Sequence, residues 1–297
     1  MENLVIFNVE QLSMKYIIIT PVKNEIQYVE RMILSVACQS IQPAVHYIFD
    51  DDSSDGTYEL LIDLEKKYNF INVMRVSNYR PDLKDPNARI PAIFNYVYAN
   101  TPHDHDFLLK IDADVEFAPD YIQTIFSTFE KDKQLGIAAG RCTSNGKRES
   151  LFISNAGPSK FYRKECYEAI GGKLYERQGH DTMDNAAARS LGWKTKIVDA
   201  EFHHLKKLGN RVGRIYWHYE KGKYKGAIPY YLPYFLMTLV KNIPNTPFLI
   251  SSLIQLVGYI NTRFIARERW FPVSVSAQLI KEQKNKILNP CKLLTEL

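Results

Sequence analysis

Short, continuous apolar runs that end at polar motifs constrain the fold of this 297-residue chain most strongly. They cover residues 15–20, 44–49 and 106–111, and β-branched and aromatic side chains dominate them. Runs of this length without polar alternation are typical of strands buried on both faces of a parallel sheet. Segments of helical apolar spacing follow the first two runs, at residues 26–40 and 56–68. This order predicts right-handed βαβ units and a doubly wound α/β sheet.

The same alternation extends through most of the chain. Further elements are predicted as strands at 71–76, 135–142 and 194–199 and as helices at 90–100, 119–131, 164–170 and 181–191. We expect an α/β domain over residues 14–210 and a basic, apolar helical region over 211–297. Residues 1–13 precede the first predicted strand and are expected to be an N-terminal extension. They are not expected to be a signal peptide, because they lack the basic start and long apolar run of one.

Charge is divided unevenly along the chain. Residues 1–200 carry 23 Lys and Arg against 28 Asp and Glu, whereas residues 201–297 carry 15 against five. An acidic front and a basic rear suggest two separate roles. The composition excludes a disordered or collagen-like protein. Four scattered cysteines without a CxxC pair exclude a disulfide scaffold and indicate a reducing compartment.

Three polar motifs follow predicted strands, where a doubly wound sheet binds its ligands. They are TPVKNE at 20–25, DDDSSDGT at 50–57 and DAD at 112–114. The paired carboxylates of the last motif suit Mg²⁺ or Mn²⁺ shared with a diphosphate, although such a pair also occurs in solvated turns. The acidic 50–57 cluster either stabilises a helix N-terminus or holds a nucleobase, and both interpretations are compatible.

The order and spacing of these three motifs resemble a family 2 glycosyltransferase, over about residues 14–210. The resemblance implies the GT-A fold, a Rossmann-like, mostly parallel, doubly wound sheet with helices on both faces, here followed by a C-terminal helical extension. It also implies an inverting sugar transfer from a nucleotide-sugar, assisted by a divalent metal, Mg²⁺ or Mn²⁺.

Site residues are carried over from this resemblance position by position. The residues that match the nucleotide-sugar pocket are Pro21, Glu25, Asp51, Arg89 and Asp112. Asp51 matches the carboxylate that reads the base, while Ile90 stands where the family often has glycine after the basic residue. Asp112 and Asp114 match the metal and diphosphate motif.

The catalytic base is expected in the segment 179–184, GHDTMD. The family usually has a Glu-Asp pair here; Asp181 takes the Asp position and His180 replaces the Glu. Direct displacement requires that a base take the proton of the attacking hydroxyl, which one carboxylate does. Asp184 is the second candidate, and both acids are also suitable for capping a helix.

Two further groups resemble ligand-binding positions of the family. His204, with His203 as the second choice, matches a late metal ligand, although a single histidine is more often structural. Arg211 and Arg214 are candidates for clamping the diphosphate, since guanidinium groups fit phosphate oxygens. A solvated basic face explains these arginines equally well.

The rear of the chain contains two apolar stretches, 228–240 and 247–260, after a basic and aromatic segment at 211–226. Each is shorter than the roughly 20 residues of a spanning helix. They form either a buried helical pair or an insert into one leaflet, which the flanking Lys, Arg, Tyr and Trp favour. Residues 276–288 predict a final amphipathic helix.

Together with the resemblance, these features predict transfer from a nucleotide-sugar, a UDP-sugar being favoured over others, to a glycan or lipid-linked acceptor, with the enzyme peripheral to the cytoplasmic face of a membrane. The resemblance places such enzymes in cell-surface polysaccharide synthesis. No pattern for nucleic-acid binding is present. Two alternatives remain: a sugar-nucleotide nucleotidyltransferase, which would need a Gly-rich phosphate loop after the first strand, and a non-catalytic scaffold with the same fold.

Overall fold

The computed structural model describes residues 14–75, 79, 83, 88–144, 147–148, 157–206, 214–228, 230–242 and 249–289. Its strands are β1 (Tyr16–Val22), β2 (Val45–Asp50), β3 (Ile71–Arg75), β4 (Phe107–Ile111), β5 (Val115–Phe117), β6 (Leu135–Ser144), β7 (Lys147–Arg148), β8 (Ser159–Arg163) and β9 (Lys194–His204). Its helices are α1 (Val29–Ala37), α2 (Thr57–Lys67), α3 (Arg89–Ala99), α4 (Tyr121–Lys131), α5 (Lys164–Ala169), α6 (His180–Ser190), α7 (Arg214–Ala227), α8 (Leu232–Asn242), α9 (Ile250–Ile260) and α10 (Val273–Leu288).

The strands of the described residues form one sheet in the order β3-β2-β1-β4-β8-β6-β9-β5, with β7 paired to β6. Neighbouring strands from β3 to β4 are parallel, as are β6 and β9. β8 runs antiparallel to both of its neighbours, and β5 runs antiparallel to β9. The predicted α/β architecture is confirmed. The sequence does not predict β8, because SKFYR contains no apolar run.

Both faces of the central strands are buried, which explains the lack of alternation in β1. Ile18 packs in the core that includes Met32 of α1 and Phe126 of α4. Its neighbour Ile19 points to the other face and packs in the core that includes Phe94 of α3. Two layers of helices therefore enclose the sheet and leave its strand ends for ligands.

Two strand boundaries differ from the predictions. β1 does not stop at Pro21 but continues to Val22, and Pro21 lies opposite Phe49 in the parallel ladder. β9 extends to His204, so His203 and His204 belong to the strand instead of following it. The extension arises because this end of β9 pairs with β5 as well as with β6, a long-range contact that the local sequence does not show.

The C-terminal helices pack on the α/β unit and on one another. Arg189 of α6 donates to both carboxylate oxygens of Glu282 in α10, at 2.6 and 2.7 Å. α7 and α9 approach so closely that a Cβ at Gly222 would lie 2.1 Å from the Gln255 carbonyl oxygen. Across the described ranges, none of the helices combines the length and the apolar character needed to traverse a bilayer.

Acidification is expected to destabilise the fold through His46 in β2. His46 is fully buried, its Nε2 lies 2.8 Å from the Thr20 hydroxyl, and burial lowers the pKa of His46 to about 3. Below pH 6.5 His46 is protonated in the unfolded chain but stays neutral in the folded chain, so stability is lost as pH falls. We expect His46 to lower the free energy of unfolding by about 2 kcal/mol between pH 7 and 5.

Urea unfolding at a series of pH values measures this slope. The variant His46→Gln is expected to flatten it, whereas His203→Gln, which changes an exposed histidine, leaves it as in the unmodified chain. An unchanged slope in His46→Gln would contradict the assignment.

Candidate active site

The carboxyl ends of β1, β2 and β4 bring the predicted motifs to one edge of the sheet. The loops after β1 and β2 are joined by hydrogen bonds in both directions. The Asn24 backbone N–H donates to Ser53 Oγ at 2.9 Å, and the Ser54 backbone N–H donates to Asn24 Oδ1 at 2.8 Å. These bonds hold residues 20–25 and 50–57 as one wall of the site.

Asp51 is the centre of the predicted nucleotide pocket and is nearly buried. Arg89, at the start of α3, donates to both of its carboxylate oxygens, with Nε 3.2 Å from Oδ2. Lys23 Nζ lies 3.5 Å from the same carboxylate, and the Arg89 guanidinium lies 5.7 Å from the centre of the Tyr79 ring. The hydrogen bond from Arg89 to Asp51 raises the pKa of Arg89. A carboxylate, two cations and an aromatic ring thus meet at one point, while Pro21 lies partly buried at the end of β1.

The other acids of the 50–57 cluster have structural partners. Asp50 is completely buried, accepts hydrogen bonds from the Ser53 backbone N–H and lies 3.5 Å from Arg75 Nε. Asp55 accepts from the backbone N–H of Thr57, in the first turn of α2, at 3.1 Å. The helix-stabilising interpretation of this cluster therefore applies to Asp55, whereas Asp51 is the acid that contacts Arg89 and Lys23.

Asp114 and His204 lie side by side across the β5–β9 pair. His204 Nδ1 lies 2.9 Å from the Lys206 carbonyl oxygen, and since a carbonyl only accepts, Nδ1 carries the proton. The lone pair of neutral His204 is therefore on Nε2, 3.7 Å from Asp114 Oδ2. Burial raises the pKa of Asp114.

Two electron-pair donors that face each other at this distance fit a divalent cation, for which imidazole and carboxylate are common ligands. Asp112 belongs to the same loop and would supply a further oxygen. Within the described residues, no group of three such side chains forms a complete metal site. His203 is exposed and lies opposite Glu116 in the ladder, on the other face of the strand from His204. Of the two histidines, only His204 is beside Asp114.

Lys206 contacts two of the predicted site residues, although the sequence motifs do not single it out. Its Nζ lies 2.6 and 2.8 Å from the two carboxylate oxygens of Glu25, the predicted nucleotide-pocket residue. Its backbone carbonyl fixes the tautomer of His204. One residue thus connects the β1 loop to the Asp114–His204 pair. The two lysines that follow His204 closely in the sequence, at 206 and 207, are the pattern that could have indicated a cation beside the site.

Asp181 lies in the first turn of α6, and 23% of its side chain is exposed. Its Oδ1 is 3.9 Å from Lys110 Nζ, 3.8 Å from Lys160 Nζ and 3.3 Å from His180 Nε2. Burial alone raises the pKa of Asp181, but Lys110, His180 and Lys160 together outweigh it and hold that pKa well below its usual range. The carboxylate is therefore ionised.

Lys110 and Lys160 form a buried floor beneath Asp181 that the sequence motifs do not reveal. They lie opposite each other on antiparallel strands β4 and β8, and their side chains are only 3% and 1% exposed. Like charges directly opposite repel, so the pair requires nearby carboxylates. Asp112 lies 3.4 Å from Lys110, and Asp184 lies 3.4 Å from Lys160. A lysine within the apolar run at 106–111 was the sequence signal for such pairing.

Asp184, the second candidate for the base, is 1% exposed. The Tyr162 hydroxyl donates to its Oδ2 at 2.7 Å, and Lys160 holds the same oxygen. Asp184 therefore neutralises the buried Lys160, whereas Asp181 keeps part of its side chain exposed. Arg211 lies outside the described residues, and Arg214 begins α7 with a side chain that is also outside them.

Replacing Lys160 with Met is expected to destabilise the fold by about 3–5 kcal/mol, because Asp184 then stays buried without its counter-charge. Urea unfolding measures the loss. The double variant Lys160→Met/Asp184→Asn removes both charges and is expected to recover part of the stability. A double variant less stable than Lys160→Met alone would show that Asp184 does not depend on Lys160.

Comparison with known proteins shows that part of the sequence and the fold are similar to those of glycosyltransferases. The sequence model named glycosyl transferase family 2 matches residues 17–83, which include the first two motifs. The mannosyltransferase PcManGT from Pyrobaculum calidifontis, solved with GDP-Man and Mn²⁺, is 14% identical, with a TM-score of 0.54. The match covers 95% of this chain and 83% of that protein.

Two further solved structures share the fold. S. aureus TarS, as a fragment with UDP-GlcNAc, is 15% identical over 93% of this chain and 81% of the fragment, with a TM-score of 0.53. GalNAc-T7 with UDP, GalNAc and Mn²⁺ is 16% identical over 67% of this chain and 45% of that protein, with a TM-score of 0.52. The chain spans 44% of a longer TarS structure. The chain therefore has the GT-A fold of these structures, and its residues 17–83 match the glycosyl transferase family 2 model.

Proposed function

We propose that the chain transfers a sugar, with inversion, from a nucleotide-sugar, favouring a UDP-sugar, to a hydroxyl of a glycan or lipid-linked acceptor. One observation carries the proposal: Lys110 Nζ lies 3.4 Å from Asp112 and 3.9 Å from Asp181. A single buried ammonium group thereby links the edge that would hold the donor diphosphate to the carboxylate that would activate the acceptor.

In this mechanism Asp181 takes the proton of the acceptor hydroxyl as that oxygen attacks the anomeric carbon. Lys110 and Lys160 keep Asp181 ionised, while Arg89 and Lys23 bind the nucleotide beside Asp51. Asp112, Asp114 and His204 would hold Mg²⁺ or Mn²⁺, which supplies charge stabilisation to the departing diphosphate when bound. The Mn²⁺ present with two of the similar structures supports this choice of metal.

Nucleotide-sugars present with the similar structures support the donor class. TarS was solved with UDP-GlcNAc and PcManGT with GDP-Man. We further propose that residues 14–210 form the catalytic domain and that 211–297 associate with a membrane surface. The enzyme would then act at the cytoplasmic face, in the synthesis of cell-surface polysaccharide.

Thermal unfolding with and without nucleotides tests donor binding. UDP with Mn²⁺ at about 100 times its dissociation constant is expected to add about 2.7 kcal/mol of stability, a shift of roughly 4 °C for a chain of this length. GDP and dTDP with Mn²⁺ are expected to give smaller shifts, and EDTA is expected to remove the effect. If no nucleotide shifts the transition, the non-catalytic scaffold is the better account.

A further inference from the structure

Helix α9 exposes its apolar side and buries its polar side, the opposite of a surface helix in a water-soluble domain. The side chains that point outward from α9 and from the turn Asn261–Ile265 after it are apolar: Ile250, Leu253, Val257, Ile260, Phe264 and Ile265. The side chains that point inward are small or carry a polar group: Ser251, Ser252, Gln255, Gly258, Tyr259 and Thr262. A helix at the surface of a soluble protein normally buries its apolar stripe and exposes its polar one.

Small and polar residues at helix contacts, with apolar residues facing outward, are typical of helices packed in lipid. The contact between α7 and α9 has this character. A Cβ added at Gly258 would lie 2.4 Å from the Tyr219 carbonyl oxygen, and Gln255 Nε2 contacts His218 Nδ1 at 3.2 Å. Close backbone packing fixes the rotation of α9, so its apolar side is presented outward by the fold.

The apolar surface continues onto the neighbouring helices. Met237 and Val240 of α8 are 56% and 66% exposed, and Trp217 of α7 is 48% exposed. Basic side chains border it. Lys221 Nζ lies 4.6 Å from the centre of the Trp217 ring, and Arg267 follows the end of α9 as an exposed residue. We call the exposed apolar side chains of α8, α9 and the turn after α9 the rear apolar face.

We propose that the rear apolar face docks the chain on one leaflet of an anionic lipid bilayer. α9 has 11 residues and is about 17 Å long, which suits a helix lying in the interface. The excess of ten positive charges in residues 201–297 would attract acidic headgroups. The same charge would repel a second copy of the chain, which makes lipid the favoured occupant.

Docking would place the acceptor side of the candidate active site beside the headgroups, a consequence that rests on the proposed function. The Tyr224 hydroxyl of α7 donates to Thr182 Oγ1 at 3.3 Å, in the helix turn that contains Asp181. The Tyr224 ring also occupies the space that a Cβ at Gly179 would fill. α7 therefore connects the rear apolar face directly to the N-terminal turn of α6, where a lipid-linked acceptor would meet its base.

Co-sedimentation of the full chain with vesicles tests this proposal. We expect binding to phosphatidylcholine vesicles with about 30% phosphatidylglycerol, weaker binding to phosphatidylcholine alone, and loss of binding in high salt. The triple variant Leu253→Ser/Val257→Ser/Phe264→Ser is expected to bind at least about tenfold more weakly. The matched control Leu34→Ser/Leu191→Ser changes exposed leucines of the α/β unit and is expected to bind as the unmodified chain does.

The thermal shift with UDP and Mn²⁺, measured on the same proteins, separates this inference from the proposed function. Vesicle binding without a nucleotide-dependent thermal shift would support the docking of the rear apolar face on lipid and contradict the proposed function. A nucleotide shift without vesicle binding would overturn the docking face alone. Light scattering that shows a dimer in the unmodified chain and a monomer in the triple variant, without vesicle binding, would assign the face to a second copy instead.

Discussion

Asp181→Asn is expected to lower glycosyl transfer by about 10²–10⁴-fold, the usual contribution of a general base. Asn has nearly the same shape but takes no proton from the attacking hydroxyl. The substitution also removes the negative charge that lies within 4 Å of Lys110, Lys160 and His180.

Comparison of transfer rates with nucleotide binding identifies the origin of the loss. The UDP-dependent thermal shift is expected to persist in Asp181→Asn, because the proposed nucleotide contacts, Asp51 and Arg89, are hydrogen-bonded to each other and not to Asp181. Glu165→Gln serves as a control, since it changes an exposed acid in the first turn of α5. Transfer at the unmodified rate in Asp181→Asn would rule out Asp181 as the base.

His204→Ala is expected to lower metal-dependent transfer by at least about 100-fold, because the charge that develops on the leaving diphosphate is no longer stabilised. The structure offers a closely matched control one residue away. His203 lies on the opposite face of β9, so His203→Ala is expected to leave both transfer and Mn²⁺ affinity unchanged.

Titration of Mn²⁺ against thermal stability and against transfer measures both effects. His204→Ala is expected to require a much higher Mn²⁺ concentration in each assay, and Asp114→Asn is expected to behave in the same way. Equal losses in His203→Ala and His204→Ala would contradict the placement of the metal beside Asp114.

Local sequence predicts six of the strands, β1–β4, β6 and β9, and the positions of the acidic motifs, because both depend on short-range patterns. The run at 15–20 becomes β1, and the motifs that follow β1, β2 and β4 meet at one sheet edge. The sequence ranks His204 before His203 but does not show which of them faces Asp114, since that depends on the pairing of β9 with β5 across some 90 residues.

The buried pair Lys110 and Lys160 could not be predicted from local sequence either, because it also depends on a long-range strand pairing. Lys160 lies in SKFYR, a segment without a strand signal, and it meets Lys110 only because β8 inserts antiparallel beside β4. The burial of Asp184 under Tyr162 follows from that insertion. The sequence leaves both acids of the 179–184 segment as candidates, and the fold buries Asp184 while it leaves Asp181 partly exposed.

Release of nucleoside diphosphate from nucleotide-sugars tests the central claim most directly, because it needs no knowledge of the acceptor. The full chain, incubated with UDP-sugars and Mn²⁺, is expected to release UDP through slow transfer to water. The release should stop with EDTA and should fall sharply in Asp181→Asn and His204→Ala but not in His203→Ala. No release from any nucleotide-sugar, or equal release by Asp181→Asn, would contradict the account.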